Sequence, residues 1–290
     1  MSSFSNTWKA RMDQVQIQRK ATLASACKIY ANQTFLTLED FASNPENLAS
    51  FMYNDKYKVV YNFVHKAASQ HLATLLHRID GVANPVPAKL YQHNRLYELN
   101  FGAVIMRLRT YKKFIFVRDP FARFVSAYKN KFLEYSDEQT AKQIALVISK
   151  HYRDKKDKRK NKHRPEDVSF LEFIRYLTGH HYGNRANTHW SSYVNRNKVC
   201  LLKHDFIGKL ETMEDDSNYF LNHVLQGDVK NNKDLFISSG RKKGSATGNT
   251  KLLRDMFSKI PKANMDILLK FYKADFHIFG YSTTSVFDAV

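Results

Sequence analysis

Arg118 and Ser126 are two polar residues whose side chains suit phosphate binding. A guanidinium group offers several charge-assisted hydrogen bonds to phosphate oxygens, and a hydroxyl group can add one more. This chemistry requires both side chains to face one ligand, so it depends on the elements that carry them. The alternative is an ordinary corner between a strand and a helix, in which Arg118 caps a carbonyl group.

The segment around these residues predicts a strand, a tight turn and a helix. Residues 112–132 read KKFIFVRDPFARFVSAYKNKF. The apolar run Phe114–Val117 is typical of a buried strand, and Pro120 suits the first turn of a helix because it lacks an N–H group. Arg118 therefore follows the carboxyl end of a strand, where open α/β sheets bind ligands, and Ser126 lies in the helix.

A second strand and loop precede this segment in the chain. Residues 59–64 are an apolar run that predicts a strand, and residues 65–72 read HKAASQHL and lead into a helix. A loop at a helix N-terminus presents N–H groups and the positive end of the helix dipole, which favour anions. Lys66 adds a full positive charge to that loop. The two segments together predict two phosphate-binding points.

Several segments of the chain resemble the carbohydrate sulfotransferases, in the branch of the chondroitin 4-O- and HNK-1 sulfotransferases. The matching segments are residues 57–66 (YKVVYNFVHK), 112–132, 189–190 (HW), 200–212 (CLLKHDFIGKLET) and 275–281 (DFHIFGY). They occur in the family's order and span most of the chain, which a chance match to one motif would not do. The chain is therefore identified as a member of this family.

The resemblance implies a single-domain α/β fold with a P-loop-like, mostly parallel central sheet flanked by helices. Residues 1–50 would form a helical lead-in, and residues 51–285 the sulfotransferase domain. The family moves sulfate from 3′-phosphoadenylyl sulfate (PAPS) to a glycan hydroxyl and needs no metal. The predicted acceptors are chondroitin- or dermatan-type chains, or glycans that end in a uronic acid.

By resemblance, Arg118 and Ser126 hold the 3′-phosphate of PAPS. The residues that would hold its 5′ end are Lys66, Ala67, Ala68, Ser69 and Gln70. Lys66 would also neutralise the charge that develops on the bridging oxygen as the sulfuryl group leaves. This is electrostatic stabilisation of an in-line transfer, analogous to phosphoryl transfer.

The first loop departs from the family pattern Pro-Lys-x-Gly/Ala-Cys/Ser-Thr-x-Trp. His65 replaces the proline, Gln70 the phosphate-binding hydroxyl and Leu72 the tryptophan. Gln70 can still donate an amide hydrogen bond, and Ser69 supplies a hydroxyl. The chain is thus either an active enzyme or a catalytically degenerate member that binds polyanionic glycans.

A general base must take the proton of the sugar hydroxyl, and a histidine suits this task near neutral pH. His93 lies between the two phosphate-binding segments, and related uronyl sulfotransferases have a functional histidine in a similar place. His189 is the second candidate, because Trp190 beside it could form a platform on which a sugar stacks. Each is also compatible with a structural histidine that is hydrogen-bonded within the fold.

The composition is consistent with an anionic partner. The 290 residues carry a formal net charge of +19 at pH 7, which suits nucleic acid, an acidic membrane or an acidic polysaccharide. Charge alone would suggest nucleic acid, but no zinc-finger spacing or RNA-binding aromatic motif supports it, and the resemblance implies a glycan instead. The basic run at residues 153–164 predicts a solvated, flexible loop, which a polyanionic acceptor could use.

The sequence contains no apolar stretch of about 18 residues that would predict a membrane span, and residues 1–20 lack the apolar core of a signal peptide. The resemblance implies a Golgi lumenal location reached through an N-terminal anchor, which these residues do not supply. Cys27 and Cys200 are predicted to be reduced, buried thiols, although a bridge between them is conceivable.

Periodicity and breaker residues predict the remaining elements. A strand is predicted at Lys198–Leu202, and a Gly-rich loop at residues 240–250. Helices are predicted at residues 16–30, 72–79, 140–150, 170–177, 211–225 and 252–272.

Overall fold

The apolar runs at residues 59–62 and 112–117 form the central strands of the fold. The computed structural model describes residues 2–30, 37–82, 84–134, 138–158, 162–179, 187–225 and 250–284. Its sheet consists of β1 (Phe51–Asn54), β2 (Val59–Asn62), β3 (Lys112–Val117) and β4 (Phe206–Lys209). Of the predicted loop at residues 240–250, positions 240–249 lie outside the described residues, and Thr250 begins a helix.

The strands lie in the order β1-β2-β3-β4, with β1 antiparallel to β2 and the other neighbours parallel. A tight turn joins β1 to β2, whereas the parallel pairs need long crossovers that carry helices. Phe114 and Phe116 pack in one apolar cluster, while Ile115 and Val117 pack in another, so both faces of β3 are buried. The predicted α/β fold with a mostly parallel sheet flanked by helices is confirmed.

The α-helices that the structure describes are α1 (Ser2–Tyr30), α2 (Leu38–Ser43), α3 (Pro45–Leu48), α4 (Ser69–Ile79), α5 (Phe101–Thr110), α6 (Pro120–Tyr128), α7 (Gln139–His151), α8 (Phe170–Thr178), α9 (Tyr193–Asn197), α10 (Val199–Leu202), α11 (Met213–Tyr219), α12 (Thr250–Phe257) and α13 (Lys262–Ile278). The predicted helices at residues 16–30, 72–79, 140–150 and 170–177 are confirmed within α1, α4, α7 and α8. Residues 252–272 form two helices rather than one, because Pro261 separates α12 from α13. Among the described helices, none is long and apolar enough to cross a membrane.

The predicted strand at Lys198–Leu202 is wrong. The segment contains the one-turn helix α10, bounded by Lys198 and Lys203 in the left-handed conformation. The place beside β3 belongs instead to β4, where Gly208 lies against the ring of Phe116. A Cβ atom at position 208 would collide with that ring, so close packing of the two strands requires glycine there.

The N-terminal helix α1 packs along the open edge of β4. Gln16 exchanges two hydrogen bonds with the backbone of Ile207, each 3.0 Å long, as a neighbouring strand would. Arg19 donates to the same Ile207 carbonyl and, at 2.6 Å, to the buried carboxylate of Asp216. Because an uncovered strand edge invites aggregation, α1 contributes directly to the integrity of the sheet.

Cys27 and Cys200 form a disulfide bond between α1 and α10, with their Cα atoms 5.4 Å apart. The prediction of two reduced thiols is therefore wrong. The two cysteines are 173 residues apart in sequence, and only the packing of α1 against α10 brings them together. Disulfides of this kind are typical of proteins that fold in an oxidising compartment.

The basic segment at residues 153–164 begins with a buried residue. Arg153 is 8% exposed and pairs with Glu172 of α8, with Nε and Oε1 2.8 Å apart. Its guanidinium also donates to the carbonyl groups of Asp167 and Lys162. For Arg153 the predicted solvated loop is wrong, because these acceptors fix the side chain inside the fold.

His204 is a buried imidazole that is neutral in the folded protein. It is 3% exposed, and its Nε2 accepts a hydrogen bond from the Asn62 amide at 3.1 Å. The orientation of that amide is fixed because it also donates to the Asn197 carbonyl. Desolvation, with a contribution from Lys113, lowers the pKa of His204 to about 3.

We expect acid to destabilise the protein from about pH 6.5 downward, where histidine in an unfolded chain takes up a proton. The folded protein protonates His204 only near pH 3, so the unfolded state binds more protons between these values. The free energy of unfolding should therefore fall by about 1.4 kcal/mol per pH unit through this one residue. Urea unfolding at several pH values measures the slope.

The variant His204→Gln should flatten that slope by the same amount, whatever its absolute stability. Burial raises the pKa of Asp275 to about 7, which acts in the opposite direction, but this contribution is common to both proteins. Equal slopes for the two proteins would contradict the prediction.

Candidate active site

A cleft of about 540 Å³ lies where β2 and β3 end. Its walls include Arg118, directly after β3, and the loop that begins at His65 after β2, because parallel neighbours bring their carboxyl ends to the same edge of a sheet. The predicted donor-binding residues that line the cleft are Lys66, Ala68, Ser69, Gln70, Arg118 and Ser126. The structure therefore brings together the two segments that the sequence placed on separate strands.

The loop between β2 and α4 has an uncommon backbone. Lys66 and Ala68 both adopt the left-handed conformation, with φ angles of +69° and +61°. This conformation costs a residue with a side chain on the order of 1–2 kcal/mol, and such residues cluster at ligand sites. It places the start of α4 at the cleft, where no side chain of the described residues caps the helix. The N–H groups and dipole of α4 favour an anion there.

Ala67 does not line the cleft, although the sequence predicted that it binds the donor. It is fully buried and packs in an apolar cluster with Val64, Ile115 and Val117. Its side chain anchors the loop to the sheet while the residues on either side face the cleft.

Arg118 connects the two phosphate-binding segments. The Tyr193 hydroxyl accepts a hydrogen bond from the Arg118 N–H group at 3.0 Å and donates one to its carbonyl at 2.8 Å. The guanidinium Nη1 donates to the Lys66 carbonyl at 3.3 Å. Because the side chain is only 5% exposed, these contacts hold its charge in a fixed position beside the loop.

His189 lines the same cleft and stacks on His65. The ring centroids are 4.6 Å apart and the ring planes differ by 13°. Tyr91 contacts His65 edge to face, and its hydroxyl is 2.7 Å from Ser69 Oγ. Of these three rings, the sequence analysis assigned a catalytic role to His189 alone. Nothing in the order of residues shows that His65, Tyr91 and His189 meet.

Both imidazoles are neutral near physiological pH. Desolvation, with smaller contributions from the nearby Lys131 and Lys66, lowers the pKa of His65 to about 3. Desolvation likewise lowers the pKa of His189 to about 2, followed by the effects of His65, Lys131 and Lys66. A neutral ring can accept a proton, so His189 meets the first requirement of a general base.

His93 lies outside the cleft. Its Nε2 is 2.8 Å from the Asp80 carboxylate, and its ring stacks on His77 with the centroids 4.5 Å apart. Asp80 is held in turn by the side-chain amides of Asn54 and Asn94. The structure thus does not bring His93 to the Lys66 loop, and His189 is the predicted base that the cleft contains.

Trp190 cannot form the predicted sugar platform, because it is fully buried and packs edge to face on Phe173 at 5.1 Å. The segment after His189 is fixed by buried polar contacts instead. The Tyr272 hydroxyl donates to the Trp190 carbonyl at 2.5 Å, and Asp275 accepts from the first N–H group of α9 at 2.9 Å. These contacts hold the backbone that presents His189.

A π-helical turn after α6 adds polar residues that the sequence analysis missed. The residues it contributes to the cleft are Lys129, Asn130, Lys131 and Glu134. Such turns widen a helix and occur frequently at functional sites, but helical periodicity does not reveal where one will form. Lys131 is 7% exposed and pairs with Glu138, which keeps its charge at the cleft wall.

A sequence model of the sulfotransferase family matches residues 49–282. The chain belongs to this family. The matched range contains every residue that lines the cleft, and the resemblance to the carbohydrate sulfotransferases is confirmed. No solved structure gives a significant match.

Curated members of the family resemble the chain over most of its length. Carbohydrate sulfotransferase 9 of Homo sapiens is 29% identical over 96% of this chain and 62% of its own length. Carbohydrate sulfotransferase 11 of Danio rerio is 30% identical over 96% of this chain and 76% of its own length. Carbohydrate sulfotransferase 8 of Mus musculus is 28% identical over 93% of this chain and 64% of its own length. The chain thus spans less than two thirds of the human and mouse relatives.

Proposed function

We propose that this member of the sulfotransferase family moves a sulfuryl group from PAPS to a hydroxyl group of a glycan and releases adenosine 3′,5′-bisphosphate. The observation that carries the proposal is the single cleft shared by Arg118, the Lys66 loop and His189. The relatives are named carbohydrate sulfotransferases, which supports the same class of reaction.

The cleft suits the donor by charge and by size. The Lys, Arg and Glu residues that line it are Lys66, Arg118, Lys129, Lys131 and Glu134, so cations prevail. Its volume of about 540 Å³ lies within the range of small-molecule sites. Arg118 and Ser126 would hold the 3′-phosphate, and Lys66 with the first N–H groups of α4 would hold the 5′ end.

When bound, PAPS supplies a sulfuryl group activated by a phosphate leaving group. Lys66 would neutralise the negative charge on the bridging oxygen as its bond to sulfur breaks. His189 would accept the proton of the glycan hydroxyl whose oxygen forms the new bond to sulfur. The stacked ring of His65 would orient His189 and keep water from one of its faces.

The charge of the donor would tune the base. Desolvation is the main cause of the low pKa of His189, and His65, Lys131 and Lys66 add smaller contributions. A donor with several negative charges offsets both lysines, so the pKa of His189 should rise in the donor complex. Donor binding would in this way prepare His189 to accept a proton.

The proposed acceptor is an acidic glycan, either a chondroitin- or dermatan-type chain or one that ends in a uronic acid. The net charge of +19 supports an anionic acceptor. The Cys27–Cys200 disulfide supports the proposed Golgi lumenal location, because reducing compartments disfavour such bonds.

We expect Arg118→Ala to weaken binding of adenosine 3′,5′-bisphosphate by about 2–3 kcal/mol, because it removes a charge-assisted contact to the 3′-phosphate. This corresponds to roughly a 30- to 150-fold rise in Kd, measured by calorimetry. Binding of adenosine 5′-monophosphate, which lacks the 3′-phosphate, should change far less.

The exposed Arg109, which pairs with Glu39 on the surface, provides the matched control. Arg109→Ala should leave both affinities unchanged. If the original protein binds the bisphosphate and the monophosphate equally well, Arg118 does not read the 3′-phosphate and the donor assignment is wrong.

Gln70 replaces the phosphate-binding hydroxyl residue of the family pattern. This departure favours a second candidate function, a glycan-binding protein without turnover. Transfer of labelled sulfate from PAPS to desulfated chondroitin and dermatan separates the two functions. Transfer supports the enzyme. Donor binding without transfer to any glycan of such a panel would favour the binding protein.

A further inference from the structure

We propose that a second cleft, at the C-terminal end of α7, binds carboxylate or sulfate groups of the acidic glycan chain whose hydroxyl reacts in the active cleft. The α7 cleft has a volume of about 420 Å³, and its polar lining consists of Ser149, Lys150, Arg153, Asp154, Lys155 and His163. The identity of the glycan chain rests on the proposed function. The residues of the α7 cleft are separate from those of the donor site.

The charge of the α7 cleft favours an anion. Lys150 and Lys155 are both exposed, and Asp154 is the one carboxylate among the lining residues. Arg153 lies beneath them and is already neutralised by Glu172. The two lysines therefore supply the positive charge that a ligand would meet.

Hydrogen bonds within the fold fix the residues that form the α7 cleft. The Ser149 hydroxyl donates to the Leu146 carbonyl at 3.0 Å, so it accepts from Nδ1 of His163 at 2.7 Å. This fixes the ring in the wall of the cleft and leaves Nε2 as an acceptor, which suits a hydroxyl group of the glycan. Arg153 donates to the carbonyl groups of Lys162 and Asp167 and so ties the wall that carries His163 to α7.

The exposed face of α7 connects the two clefts. Glu138, directly before α7, pairs with Lys131 of the active cleft. Lys142, Leu146 and Lys150 follow at one-turn spacing along the exposed side of the helix. The rise of an α-helix places Ser149 about 16 Å from Glu138, so a ligand must be extended to occupy both clefts.

An acidic polysaccharide fits the exposed face of α7 between the two clefts better than a compact anion does. Its repeating charges can reach Lys150 and Lys155 while a hydroxyl group farther along the chain lies in the active cleft. Leu146, which is 52% exposed between the lysines, offers an apolar contact to the face of a sugar ring. Joining two weak sites through one chain raises the overall affinity by effective concentration.

The test uses the double variant Lys150→Ala/Lys155→Ala in the full chain, with desulfated chondroitin polymer and a chondroitin disaccharide as acceptors. We expect the KM for the polymer to rise about tenfold, roughly what two exposed charge contacts contribute. The KM for the disaccharide and both kcat values should stay unchanged, because the disaccharide cannot reach the α7 cleft. Lys259→Ala/Lys270→Ala removes two exposed lysines that line neither cleft and should change nothing.

Calorimetric binding of the polymer tests the α7 cleft independently of turnover, so failure of the enzymatic proposal would not obscure the result. Equal polymer affinity in the α7 variant and the control variant would overturn the inference. An equal rise in the KM for the disaccharide would also overturn it, because the substitutions would then act on the active cleft. A similar loss of affinity for a DNA duplex would show a general polyanion surface and refute the assignment to a glycan.

Discussion

Lys66→Ala is expected to lower kcat by about 10²–10³, the range observed when one group that stabilises transition-state charge is removed. The affinity for adenosine 3′,5′-bisphosphate should fall much less. The charge that Lys66 meets on the bridging oxygen develops during the transfer, whereas the bisphosphate product carries no breaking bond. Single-turnover transfer and product calorimetry measure the two quantities separately.

The chain offers a closely matched control for this substitution. Lys58 is also a lysine with a left-handed backbone, at φ +49°, but it lies in the turn between β1 and β2 and does not line the cleft. Lys58→Ala therefore has the same backbone requirement and removes the same charge without touching the site. A Lys66→Ala protein that turns over as fast as Lys58→Ala would remove Lys66 from the mechanism.

The two phosphate-binding segments could be predicted because their signals are local. The apolar runs of β2 and β3 mark strands. Arg118 follows β3 directly, and Lys66 lies four residues after the end of β2. Parallel pairing then places both residues at one edge of the sheet, which is a general rule and needs no tertiary detail. The fold class follows from the same alternation of strands and helices.

The remainder of the site depends on contacts between distant segments. His65 and His189 stack although β3 and several helices separate them in sequence, and the sequence showed His65 only as a departure from a proline. Trp190 was predicted at a surface because tryptophan can bind sugars, but its indole fills the apolar cluster beside Phe173. The Cys27–Cys200 bond likewise requires knowledge of where α1 packs.

The prediction of secondary structure from sequence was wrong where tertiary packing overrides the local strand preference of the residues. Val199 and Cys200 have strand-like chemistry, yet the place beside β3 is taken by β4, which has glycine where the Phe116 ring needs space. Lys131 illustrates the same limit for charge. No local pattern marks it as a cleft residue, and the π-helical turn directs it to the cleft wall.

His189→Ala is expected to lower kcat by about 10²–10⁴, the usual contribution of a positioned general base. The affinity for adenosine 3′,5′-bisphosphate should change by less than about threefold, because a neutral imidazole adds no charge to the donor site. Added imidazole should restore part of the activity by occupying the space left by the ring. This rescue distinguishes a base from a residue that only maintains the shape of the cleft.

The other histidines make the test specific. His65→Ala should lower kcat by a smaller factor, about tenfold, because it removes the ring that orients His189 but not the proton acceptor. His93→Ala should keep nearly full turnover, since His93 is paired with Asp80 outside the cleft. A large loss in His93→Ala together with normal turnover in His189→Ala would reverse the assignment. Normal turnover in all three variants would mean that transfer proceeds without a histidine base.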